Sequence, residues 1–180
     1  MRIDKKYLLI SMVFLAFLSV WIKGCLLSGT YVIYFTEIDE IISTQDEWNW
    51  ASVDLSENAT WKDHEEDIKY IDEVGFSFKA QNLSSTDSAT GRLYISDEDS
   101  LMTIPLIKER ATLIVDGIFL APEETKHILW NESFKYILNL DILKKHVESG
   151  QFHLYGICKD TPFNVRFYDI VAVITVTAGI

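Results

Sequence analysis

Hydrophobic and polar residues alternate with period two through much of this chain. Over residues 74–81, Val74, Phe76, Phe78 and Ala80 point one way and Gly75, Ser77, Lys79 and Gln81 the other, which is the pattern of a strand with one buried face. Residues 151–158 repeat it, with Phe152, Leu154 and Gly156 set against His153, Tyr155 and Ile157. Residues 30–37 are aromatic and β-branched on both faces, as in a strand covered on each side. Residues 164–177 form the longest run, and both faces turn apolar from Ile170 onward, which predicts a central place in a sheet. Shorter strands are predicted over 92–96, 112–120 and 126–130. Pro122 pre-sets a turn in the loop 121–124 that joins the last two. The polar run 82–90 reads as a loop.

Helical spacing is confined to two places. Residues 61–70, capped by Thr60 with Asp63 at the third position, put Trp61, His64, Ile68 and Ile71 on one face. Residues 132–149 form a second helical region, interrupted at 139–141, where Asp141 recaps 142–148 and Gly150 supplies a left-handed terminator. Seven or more short strands with two or three short helices in crossovers predict a mainly β fold, a β-sandwich of Ig-like or jelly-roll-like kind. No internal repeat or Pro-rich linker divides residues 30–180, so they read as a single domain.

Composition agrees with that picture and excludes some functions. A 180-residue chain that is 48% hydrophobic and 13% aromatic can bury one core, and disorder is excluded. A formal charge of −11 and a pI near 4.7 leave no basic face for phosphates, which excludes a nucleic-acid partner.

The N-terminus changes the picture most. Arg2, Lys5 and Lys6 precede the uncharged apolar run 7–22, the pattern of a secretory signal. At sixteen residues the run is shorter than the roughly 20 that a membrane span needs. It leads into Ile22-Lys23-Gly24-Cys25, which resembles the lipobox of bacterial prolipoproteins, with Lys23 where that family carries a small uncharged residue. The resemblance implies a signal peptide over 1–24 cut after Gly24, and Cys25 lipidated as the first mature residue. Other readings are an uncleaved signal anchor, or a cut elsewhere that leaves Cys25 a thiol.

Cleavage would remove four basic residues and one acidic residue, taking the formal charge from −11 to −14. Such a body repels anionic headgroups. Residues 26–29 reach at most about 14 Å, so 25–29 is a short tether and the domain is expected to rest against the membrane. The implied location is the cell envelope. Leu26 rather than Asp follows the cysteine, which implies the outer membrane in an enteric-type Gram-negative cell.

Candidate chemistry is sparse. Cys158 reads as a buried thiol, and Asn58, Asn82 and Asn131 each head an N-glycosylation pattern that means little in a bacterial lipoprotein. The four histidines lack zinc spacing. The acidic run 63–67 reads as a solvated helix face, because consecutive helical residues diverge. Asp97, Glu98 and Asp99 follow a strand and are a candidate calcium site, joined by Asp87 or Asp116; the other reading is a charged turn. No nucleophile-elbow or phosphate-loop motif occurs. Trp48, Trp50 and Trp61 fall within fourteen residues. Exposed, they would make a stacking platform for a glycan or a protein; buried, they are packing. The function expected is therefore a non-catalytic interaction or assembly domain, lipid-anchored in the envelope, with an envelope protein or glycan as partner. The alternatives are a carbohydrate-binding module using Trp48, Trp50 or Trp61, and an envelope hydrolase whose carboxylate pair the sequence does not single out.

Overall fold

A computed structural model describes residues 28–43, 48–158 and 164–179. Residues 1–24, expected to be a signal peptide cut after Gly24, and Cys25 lie outside the described residues. Among the described residues, nine strands form two antiparallel sheets. The first sheet runs β1 (Ser28–Ile38), β9 (Val165–Gly179), β4 (Ile68–Asn82), β7 (Thr125–Ile128), and the short β2 (Ile41–Ser43) continues the edge of β9 beyond β1. The second runs β3 (Asn49–Asp54), β8 (Gln151–Cys158), β5 (Ala89–Ser96), β6 (Thr112–Leu120). Apart from β1 to β2 and β5 to β6, each successive strand lies in the opposite sheet. This is the double Greek key of a jelly roll, so of the two sandwich types expected the jelly roll is the one observed.

The long C-terminal strand does occupy the middle of its sheet. Ile174 pairs with Ile33 of β1 on one side and Val74 of β4 on the other. The core between the sheets holds Phe76, Phe78, Leu93, Phe152, Leu154 and Phe167, all at most 2% exposed, with Phe78 and Phe167 edge to face at 5.8 Å. Two glycines let the layers close. A Cβ on Gly91 would stand 2.5 Å from Phe167 Cζ, and one on Gly156 would stand 2.4 Å from Ile41 Cγ2. The ring and the methyl group thus fill the space that any larger residue would need.

A smaller cluster lies on the outer face of the second sheet. There the segment 97–103 and helix α2 (Ile104–Arg110) bury Leu101 and Ile107 against Tyr94, Tyr155 and Ile157. Three further helices are α1 (Ala59–His64), α3 (Trp130–Ser133) and α4 (Leu140–Ser149). Among the described residues no helix is long and apolar enough to cross a membrane.

Local expectations fail where tertiary pairing competes with spacing. The helix expected over 61–70 ends at His64, tightens into a 3-10 turn at Glu65–Asp67, and gives way to β4 at Ile68. Ile68 pairs with Ala178 and Ile71 with Val176, so ladder hydrogen bonds and sheet burial replace another helical turn. The cap is Asn58, whose Oδ1 accepts from the Trp61 N–H at 3.1 Å, and not Thr60. Strand β3 occupies a segment read as lying between strands, because its inward residues Ala51 and Val53 are small while the bulky Trp50 points out. Helix α2, capped by Thr103 with Pro105 in its first turn, carries too short an apolar stripe to show as periodicity. Asn139, at φ 54°, opens α4 in place of Asp141, and Gly150 ends it at φ 78° as expected.

Candidate functional site

The pairing register places one row of side chains straight across the outer face of the second sheet. Trp50 faces Tyr155, Tyr155 faces Tyr94, and Tyr94 faces Leu113. Helix α2 covers the inner part of this row, and Trp50 on edge strand β3 remains 38% exposed. Its indole is held from two sides, edge-on to His153 at 5.2 Å and stacked with Tyr155 at 6.5 Å. Trp48 is half-buried and lies against Tyr155 at 5.6 Å.

Tyr155 organises the surroundings. Its ring is fully buried and its hydroxyl donates to the Glu98 carbonyl, which pins the segment 97–103 to the sheet. Burial pushes the phenol above its ordinary value. Two further polar groups share this face. Arg92 is paired with Asp116 at 3.1 Å, which holds the guanidinium above its usual range. His153 Nδ1 is buried without a hydrogen-bond partner. The face therefore offers one supported indole beside an imidazole, a geometry suited to stacking and hydrogen bonding.

Trp61 is not part of this platform and takes the buried of the two readings. It is 5% exposed, belongs to the main core, and lies at the base of a separate pocket of about 310 Å³ at one end of the sandwich. Glu65, Lys69, Tyr70 and Glu148 are among the other residues lining that pocket. Tyr70 is 67% exposed at its rim. Tyr155, His153, Tyr70 and Glu148 had no sequence signal as site residues. Only the outward phase of Tyr155 and His153 on β8 was visible.

The carboxylates weighed for calcium are not brought together. Asp97 turns to His146 Nδ1 at 2.6 Å, Glu98 turns to Arg110 at 3.3 Å, and Asp116 belongs to Arg92. Asp87 accepts from its neighbour Thr86 at 2.5 Å. Among the described residues no three metal-ligating side chains converge. The residues 97–99 form a charged turn held by two separate partners.

Two of the glycosylation patterns are structural. Asn82 is 1% exposed and donates to the Asp87 and Ala121 carbonyls, and Asn58 caps α1. Cys158 is buried in the core and its backbone N–H donates to Ser43 Oγ at 2.9 Å. Two carboxylates, Glu65 and Glu148, share the pocket, and both are exposed.

No family model and no curated protein matches the chain. Among solved structures, it is similar to that of Desmodium yellow mottle tymovirus at 12% identity and a TM-score of 0.28, over 84% of this chain and 90% of that one. A CBM22-1 xylan-binding domain from Paenibacillus barcinonensis matches at 10% identity and a TM-score of 0.35, over 81% of each chain. Cocksfoot mottle virus matches at 7% identity and a TM-score of 0.35, over 85% of this chain and 96% of that one.

Proposed function

We propose that this protein is a lipid-anchored envelope lipoprotein whose jelly-roll body is a non-catalytic binding domain. The observation that carries the binding reading is Trp50, a large apolar ring left exposed on a sheet edge and braced by His153 and Tyr155. A ring that loses little freedom on binding suits a flat, partly apolar ligand. The ligand class favoured is a glycan, whose C–H face stacks on the indole while its hydroxyls meet the imidazole. An envelope protein is the alternative occupant of the same surface. The anchor reading is supported by the sequence Ile22-Lys23-Gly24-Cys25 and by the start of β1 only three residues later.

Two measurements test this. Metabolic labelling with palmitate should mark the protein, and Cys25→Ser should abolish both label and membrane retention; retention without label removes the anchor. A glycan array should give a specific signal that Trp50→Ala weakens about tenfold, the loss of one good aromatic contact. A signal indifferent to Trp50→Ala removes the platform, and an array that stays blank while Trp50→Ala releases a co-purifying envelope protein favours the protein partner.

A further inference from the structure

We infer that the end of the sandwich where β1 begins is a membrane-docking surface, and that its pocket seats the phosphoethanolamine headgroup of a zwitterionic lipid. The inference rests on the lipid-anchor reading of Cys25.

Position comes first. Ser28 pairs with Gly179 and Ile68 pairs with Ala178, so the start of β1 lies two strands, about 10 Å, from the start of β4. Three residue steps separate Cys25 from Ser28, and they span at most about 11 Å. An acylated Cys25 therefore holds this end of the molecule, and no other, within reach of the headgroups. The pocket of about 310 Å³ opens at this same end.

The lining then selects the lipid. Glu65 and Glu148 offer carboxylates to an ammonium group, and Lys69, which lies over Gly179 at the end of β9, offers an ammonium to a phosphate. Tyr70, two-thirds exposed, has the amphipathic ring that favours the headgroup layer, and Trp61 closes the base. A headgroup with both charges, spaced by two carbons, satisfies this set, and ethanolamine, unlike choline, keeps N–H groups to donate to the two carboxylates. An anionic headgroup does not, because Asp63, Glu66 and Asp67 are exposed beside the pocket and repel it. The docked orientation also keeps the binding face clear. Asp54, at the C-terminal end of β3, pairs with Gln151, three residues from the pocket's Glu148. Trp50 sits four residues back along β3, about 13 Å further from the bilayer.

The test uses the mature protein extracted from membranes and checked for acyl chains by intact mass. It is placed in phosphatidylcholine vesicles with or without phosphatidylethanolamine, and amide hydrogen exchange is followed across 61–71. Exchange there should slow severalfold with phosphatidylethanolamine, and Lys69→Glu combined with Tyr70→Ala should remove the slowing without changing exchange in β8. An acylated protein whose exchange ignores the ethanolamine lipid, or slows instead around Trp50, overturns the docking while leaving the anchor intact. An unacylated mass removes the anchor reading and this inference with it. Soluble phosphoethanolamine is the remaining arm: protection at 61–71 by the free compound but not by vesicles makes the pocket a small-molecule site and overturns the membrane assignment.

Discussion

Trp50 and Trp61 are eleven positions apart and do opposite things. Trp61 projects from helix α1 into the core, and Trp50 stands on the outer face of an edge strand with its ring braced but open. The residue type is the same, so the difference lies in what the topology lays over each side chain. Helix α1 packs the first inward, while α2 stops short of covering the second. Burial turns an indole into stability, and a supported but uncovered indole becomes a contact surface.

The contrast is broken most severely by truncating both rings. Trp61→Ala should cost about 3–5 kcal/mol in urea denaturation, as for other buried tryptophans. Trp50→Ala should cost no more than about 1 kcal/mol, the scale of one cross-strand pair, and should act on binding instead. Equal losses would show that Trp50 is structural.

The next largest effect comes from inside strand β8, whose outer side carries Tyr155. Gly156→Ala drives a methyl group into Ile41 and should lower stability by about 1–3 kcal/mol, read as a shift of the urea midpoint at constant slope. A neutral result would mean that the two layers yield locally and do not close as tightly as Gly91 and Gly156 indicate.

Tyr155→Phe isolates the hydroxyl that pins the segment 97–103, and should cost about 1 kcal/mol. It should also change the alkaline limb. The folded phenol sits above its unfolded value, so the unfolded chain loses its proton first. The stabilisation is then complete below the ordinary tyrosine range, near pH 10, and fades as pH climbs toward the folded value. Stability against pH should fall less steeply above pH 10 in Tyr155→Phe than in the parent. Parallel curves would mean that this phenol does not report on the covering segment.

The smallest effect concerns the acidic turn. Asp97→Asn removes the carboxylate facing His146, 73% exposed at the aspartate, and should change stability by less than about 1 kcal/mol. Calcium should leave Tm unchanged in both forms. A calcium-dependent rise in Tm that Asp97→Asn abolishes would restore the metal site.

Much of this architecture could be read before folding. Alternation marked β4 and β8, and apolar residues on both faces of 170–177 marked the central strand. Trp48 and Trp50, two positions apart, both meet Tyr155. What escaped was decided by distant partners. Ile68 and Ile71 fit a helical stripe as well as a strand, and only β9 settles the choice. Trp61 shared a helical face with Ile68 and Ile71, but most of the residues that enclose it come from elsewhere in the chain. The carboxylates of 97–99 looked convergent in sequence, yet His146 and Arg110 draw Asp97 and Glu98 apart.

The placement of β9 has a bearing on biogenesis. Strands β1 and β4 are made early, yet each must wait for residues 165–179 to arrive between them. Until those residues leave the ribosome the first sheet has no middle, and sequence-distant pairing of this sort is slow to nucleate. Closure of the first sheet is therefore a late event, set by β9 and not by the strands made before it.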